Sequence, residues 1–331
     1  MANPTSRSRP TIYDVARAAG VSKSLVSLVL NESELVSPQR REAVLAAIAR
    51  LDYRPSHAAA TLAAARSRTI GVVIDDYRNP WFVDLLEGMR AEVTVKGYRL
   101  AVAEQRSATT DEALEGFLGG RADAIVVAGE LIADQPDLGV PCVVIGVRER
   151  NVAGADHVSS DEASGVRLAL DHLAVLGHRR IGHVTGRGGS ARARLAAYRR
   201  WVERLGEAPL VAGAAQETNE AGGYAGAVEL LKAHPEVTAV LAANDTMALG
   251  ARAALAEAGR QVPGDVALVG YDDSLLARAR YLDLTTVDSR NYEVGLAAGR
   301  ALLRRLDVPD APPLTEVIAP RLVVRTSTRR V

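Results

Sequence analysis

Apolar positions along the chain follow two rhythms, and the change comes near residue 70. Before it, apolar residues recur in short runs at helical spacing. Thr11 stands three residues before Asp14, the spacing of a capping box, so a helix is expected over about 12–19, stopping at Gly20. Ser22 can cap a second helix over about 22–30, with Val26 and Val29 turned inward. Ser37 and Pro38 open a third as cap and first turn, followed by Val44, Leu45, Ile48 and Leu51 at helical spacing. Two short helices joined by a turn at Gly20, with a third across them, match a helix-turn-helix unit. The second helix alternates Ser22, Ser24 and Ser27 with Leu25, Val26, Leu28 and Val29, and carries Lys23 at its start. A helix built only for a core needs neither the hydroxyls nor the cation.

Pro55 breaks this pattern. The stretch 56–68 is rich in Ala, and Leu62 is its only bulky apolar residue. So short a helix with so little to bury is marginal in water. Two readings stay open: an ordinary helical linker, or a helix that forms only when a second copy and a groove cover it. From Ile70 onward, apolar runs at 70–74, 98–103, 124–128, 142–146, 181–186, 239–243 and 266–273 read as strands. Helical segments at 81–96, 162–177, 190–205, 222–234 and 246–259 alternate with most of them. This alternation predicts parallel α/β architecture, and the strands are too many for one small sheet, so two lobes are expected. Open α/β sheets bind ligands at the carboxyl ends of their strands.

Composition adds one asymmetry. Lys+Arg and Asp+Glu are both 40 over 331 residues, yet residues 1–68 hold ten basic and five acidic side chains. A basic head on an acidic body is the electrostatic outline of a protein that meets a polyanion at one end. Cys142 is the single cysteine, so no intrachain disulfide can form, which fits a reducing cytoplasm. It lies in an apolar run and reads as a buried strand residue. Residues 1–10 are polar, with Pro4 and Pro10, and read as a disordered arm without the apolar core of a secretory signal. No stretch has about 18 consecutive apolar residues, so no membrane span is expected.

The head TIYDVARAAGVSKSLVSLVLN…VSPQRREAVLAAIARLDYRPSHAAATLA resembles the lactose/galactose-repressor (LacI/GalR) family of bacterial transcription factors. The body carries IGVVIDDYRNPWF, VLGHRRIGHVTG, AVLAANDTMALGA, DVALVGYDD and LTTVDSRNYEVG in the family's order, so the resemblance runs from about Thr11 to Thr328. It implies an all-α helix-turn-helix head plus an α/β two-lobed, periplasmic-binding-protein-like effector domain. The implied division is a DNA-binding domain at 11–54, a hinge helix or linker at 55–68, and an effector-binding and dimerisation domain at 69–331. In such a head the second helix enters the DNA major groove, with its N-terminal residues at base edges. Lys23 and Ser24 take the base-reading positions, and Lys can bond guanine O6 and N7. Ser22 and Ser27 suit phosphates. Asn31, Ser37 and Arg40 follow at backbone-contacting positions, and Thr11, Ile12, Tyr13 and Ser56 complete the implied DNA surface. Leu28 departs from relatives that carry Arg or His there; it can pack on a thymine methyl but cannot bond a base. Leu62 matches the side chain that relatives lever into the minor groove, and Ala59 is small where two hinge helices would meet.

In the body the resemblance implies a cleft between lobes. Arg194 takes the place of a clamp whose guanidinium forks onto hydroxyls or a carboxylate. Asn244, Asp245 and Asp272 end two strands facing the cleft. Phe82 offers an apolar face, Asp75 and Asp76 follow the first strand, and Ser190 and Thr218 are small polar lining residues. Thr218 stands where relatives often stack an aromatic. Plainer readings stand beside these: Asn244 and Asp245 as caps of the helix near 246, Arg194 as a surface charge, and Trp81 as a lobe-interface residue. Three acids and one Arg fit a neutral sugar or polyol better than a dicarboxylate or purine.

Two other classes compete. For an enzyme, GRGGS (186–190) lacks the spacing of a phosphate-binding loop, and His178 and His183 lack metal-binding helical spacing. No catalytic set, metal site or cofactor is expected. For a transport binding protein, the body alone would serve, but the head argues against it. The expected mechanism is a homodimer on pseudo-palindromic operator DNA, a repressor by the family's commoner habit. Effector binding in the cleft alters DNA affinity by its differential affinity for two states. The chain ends without an apolar heptad tail, so a dimer is expected rather than a tetramer.

Overall fold

The computed structural model describes residues 10–30, 33, 35–53, 67–106 and 109–328. They fall into two compact units that divide between Ser67 and Arg68. The arm at 1–9, Asn31, and the segment 54–66 with Ser56, Ala59 and Leu62 lie outside the described residues.

The first unit holds α1 (Ile12–Ala19), α2 (Lys23–Leu30) and α3 (Pro38–Leu51). The predicted capping box is present: the Asp14 carboxylate accepts the Thr11 N–H at 2.9 Å, and the Asp14 N–H donates back to Thr11 Oγ1 at 3.4 Å. Gly20 closes α1 at φ 67°, a left-handed backbone that favours glycine. Ser22 caps α2 by accepting the Leu25 N–H at 3.2 Å. Val15, Val26, Val29, Val36, Val44, Ala47 and Tyr53 close the core. Two expectations are corrected on α3. Leu45 is 52% exposed, while Ala47 is buried. Two short helices cover only a narrow stripe of α3, and Leu45 lies one residue step around from Val44, past its edge. Ser37 takes the cap position with an extended backbone, but its side chain makes no cap hydrogen bond. Pro38 follows it and has no N–H to satisfy.

The second unit is built on strands β1 (Thr69–Ile74), β2 (Arg99–Glu104), β3 (Ala124–Val127), β4 (Cys142–Ile145), β5 (Asp156–Ser160), β6 (Ile181–Val184), β7 (Leu210–Ala212), β8 (Ala239–Ala242), β9 (Ala267–Tyr271), β10 (Thr285–Asp288), β11 (Thr315–Ile318) and β12 (Arg321–Val323). They form two six-stranded sheets in the orders β11-β5-β4-β3-β1-β2 and β12-β10-β9-β8-β6-β7. All pairings are parallel except β10 with β12. The inner strands β3, β4 and β8 are wholly apolar because helices cover both faces of a parallel sheet. Those helices are α4 (Trp81–Val93), α5 (Glu112–Gly119), α6 (Glu162–Val175), α7 (Gly189–Arg204), α8 (Glu220–Ala233), α9 (Asp245–Glu257), α10 (Leu275–Arg278) and α11 (Asn291–Asp307). In the first lobe, Phe82, Leu85 and Met89 of α4 pack with Val294, Ala298 and Leu302 of α11 over the sheet. The chain passes between lobes after β5, after β10 and after β11. Cys142 is buried in β4, and that burial pushes its thiol up to about 12, away from nucleophilic chemistry.

Candidate functional site

On the head, burial of Val26 and Val29 turns the opposite side of α2 to solvent. Ser22, Lys23 and Ser24 are exposed, Ser27 is half-buried, and Leu28 is exposed beside them. Lys23 Nζ stands 5.2 Å from the centre of the Tyr13 ring, and Tyr13 is itself exposed. Thr11, Ser37 and Arg40 are exposed, and Ile12 is half-buried against the core. Arg41 and Arg50 have structural work instead, donating to the carbonyls of Ser33 at 2.6 Å and Ala18 at 3.3 Å. A helix N-terminus with a Lys and exposed hydroxyls suits phosphates and base edges.

In the body, the loops at the carboxyl ends of the two sheets face one another. Arg194 of α7 is 6% exposed. Its Nε donates to Glu162 at 2.7 Å, one terminal nitrogen donates to Glu162 at 3.2 Å and Asp272 at 3.3 Å, and the other donates to the Ala243 carbonyl. Its guanidinium stacks 3.6 Å from the centre of the Tyr271 ring. Burial works against the charge of Arg194, but Glu162 and Asp272 outweigh it and hold its pKa above the ordinary value. Burial raises Asp272, against the pull of Arg194. Asp272 also sits at φ 106°, and its carbonyl accepts from Asn291 Nδ2 at 3.1 Å, which ties the second lobe to the start of α11.

On the first lobe, Arg148 follows β4. It donates through Nε to the Ile145 carbonyl at 2.8 Å, pairs with Asp75 at 3.7 Å and Glu130 at 3.8 Å, and lies 5.7 Å from the centre of the Trp81 ring. Glu130 reaches the other lobe, where Oε1 accepts the Gly189 N–H at 2.6 Å. Ser190 donates to the Val147 carbonyl at 3.4 Å, and Arg192 pairs with Glu149.

Residues 11–56 match the model of bacterial regulatory proteins of the lacI family, and residues 170–328 match a periplasmic binding protein-like domain. The HTH-type transcriptional regulator CelR of Thermobifida fusca is 35% identical, over 97% of this chain and 99% of its own. The chain belongs to the LacI family of bacterial regulatory proteins. A solved CelR–cellobiose complex superimposes with a TM-score of 0.70 at 31% identity, over 96% of this chain and 100% of that one. The lac repressor dimer bound to operator and the anti-inducer ONPF gives 0.78 at 27% identity, over 97% and 99%. The protein is a LacI-family, DNA-binding transcriptional regulator with a helix-turn-helix head and a two-lobed body.

Two separate clusters result: Arg194 with Asp272 and Glu162, and Asp75 with Arg148 and Glu130, the second reaching the turn that holds Gly189 and Ser190. Other expected residues are placed differently. Phe82 is 4% exposed and sits in the first-lobe core, so the apolar face expected of it is used in packing; Trp81 beside it is the half-buried ring that meets Arg148. Asn244 caps α9 by accepting the Met247 N–H at 2.8 Å and donates to the Thr218 carbonyl at 3.1 Å, which fixes the half-buried Thr218 loop. Asp245 is buried, accepting from Ser274 N–H at 2.8 Å and Thr286 Oγ1 at 2.6 Å, and burial pushes its carboxyl up to about 6. Asp76 is held by Arg78 at 2.8 Å. Four residues escaped the sequence reading: Glu130, Arg148, Glu162 and Tyr271. Glu130 and Arg148 follow predicted strands, so the rule that found Asp75 and Asp272 also points to them. Glu162 carried no signal of its own, being one more acid in the first turn of a helix.

Proposed function

We propose that this regulator represses transcription as a homodimer, with α2 of each head in a major groove of a pseudo-palindromic operator. The proposed division is a DNA-binding domain at 11–54, a hinge at 55–68 and an effector domain at 69–331. Lys23 and Ser24 read bases, Leu28 packs on a thymine methyl, and Ser22, Ser27, Asn31, Ser37, Arg40, Thr11, Ile12, Tyr13 and Ser56 position the head on the backbone. Leu62 enters the minor groove. The support is the exposed polar face of α2 set against the buried Val26 and Val29.

The effector is an uncharged carbohydrate held between the lobes, near Arg194, Asp272, Asp75, Asp76, Ser190, Thr218 and Asn244. One observation carries this reading: the guanidinium of Arg194 already serves two buried carboxylates, Glu162 and Asp272. An acidic effector would add charge where burial already resists it, whereas hydroxyls can donate to the carboxylates. The cellobiose in the CelR complex agrees with this chemistry. Selection from random duplexes gives the operator, and gel-shift titration at fixed salt then reads its response to cellobiose and other neutral sugars. A palindromic site released by one neutral sugar is the expected result; release by a purine or dicarboxylate alone overturns the carbohydrate assignment.

A further inference from the structure

The glycine-rich stretch 186–190 leads into α7 without the spacing of a phosphate loop, yet the structure gives it an anion. Glu130 of the first lobe sends its carboxylate across the cleft, with Oε1 on the Gly189 N–H at 2.6 Å and Oε2 on the Glu149 N–H of its own lobe at 2.9 Å. Arg148 balances the charge at 3.8 Å. The approach is possible because Gly188 turns at φ 95° and Gly189 has no side chain; a Cβ there would overlap the Val147 carbonyl and the Arg148 backbone. The first turn of a helix offers unsatisfied N–H groups and a partial positive charge, which a carboxylate or phosphate satisfies. Here the protein supplies that carboxylate from the opposite lobe. The neighbouring Arg192–Glu149 pair links the same two segments, but Arg192 is largely exposed, so screening leaves it weak.

We infer that Glu130 is a built-in latch and a selectivity residue: it ties the lobes together and occupies the amino end of α7 against anionic effectors. The selectivity half rests on the carbohydrate reading above and deepens it. A phosphorylated or acidic sugar would have to displace an internal carboxylate, whereas a neutral one need not.

The test uses full-length protein without effector. Hydrogen exchange followed by mass spectrometry reads segments 186–191 and 147–151 in the wild type, Glu130→Ala and Glu130→Gln. Losing charged-acceptor hydrogen bonds should speed exchange in both segments by at least about tenfold in Glu130→Ala, and less in the isosteric Glu130→Gln. Exchange in β8 and β9 serves as the control for intact folding. Small-angle scattering should show a larger radius of gyration for Glu130→Ala. Unchanged exchange in both segments with the fold intact overturns the latch. Inorganic sulfate is then added: it should slow exchange at 186–191 again in Glu130→Ala and leave the wild type unaffected. Sulfate without effect on the variant overturns the selectivity half. A failure of all neutral sugars to bind would sink the carbohydrate reading alone, since neither exchange nor the sulfate response depends on it.

Discussion

Lys23 on α2 and Arg194 on α7 are both cations proposed above for recognition, and they are held in opposite ways. Lys23 is exposed, has no ion pair among the described residues, and only leans towards the Tyr13 ring. Arg194 is buried, bonded to Glu162, Asp272 and a carbonyl, and stacked on Tyr271. The difference follows from the partners each region meets. DNA brings its own dense charge, so the head can leave its donors in water and let counterion release drive docking. A neutral effector of the kind proposed above would bring little charge, so its site must satisfy its own ions beforehand. Function in the head is therefore separable from stability, while in the cleft the two are joined.

The widest gap should come from Arg194→Ala. It strands Glu162 and Asp272 in the interior, and breaking a buried pair costs about 3–5 kcal/mol. Urea unfolding followed by tryptophan fluorescence measures it; a loss below 1 kcal/mol, on the order of a surface change, would erase the contrast. Acid should expose the body next. His183 is fully buried, donates from Nδ1 to the Leu241 carbonyl at 2.9 Å, and burial lowers its pKa to about 4 from 6.5. The folded state thus binds fewer protons than the unfolded one between those values. Its contribution is complete above about pH 6.5 and is lost as pH falls towards 4, a swing on the order of 3 kcal/mol. A melting series across that range should flatten in His183→Gln.

Lys23→Ala sharpens the other side. Operator affinity should fall by about 1–3 kcal/mol while unfolding stability shifts by under ~0.5 kcal/mol. Gel shifts and urea melts on one preparation read both, and a large stability loss would show Lys23 to be structural. The finest distinction lies within the head. Thr11→Ala removes a working cap and should cost about 1 kcal/mol, whereas Ser37→Ala, whose hydroxyl caps nothing, should stay near zero.

The helices of the head were legible because local chemistry fixes them: Thr11, Gly20, Ser22 and Pro38 mark their ends without help from elsewhere. The apolar strands of the body were legible for a similar reason, since runs such as 124–127 need only be buried on both faces. Among what escaped were strands whose polar residues are satisfied at long range. β10 reads TTVD, and its buried Thr285 and Thr286 find Arg325, Thr328 and Asp245, some forty residues away in sequence. β5 buries Asp156, which accepts from Arg305 at 2.9 Å and the Leu314 N–H at 2.7 Å. The candidate cleft shows the same limit. Arg194 and Asp272 stood out as residue types at strand and helix ends, but nothing near Glu162 in sequence reveals that Arg194 grips it.

Glu162 sits two residues beyond the end of β5, on one of the three passages between the lobes. The grip on Arg194 is thus anchored beside the fulcrum about which the lobes would swing. A molecule that loosens this grip works with a short lever: little travel is needed at the clamp, and the far rims of the body convert it into a longer stroke.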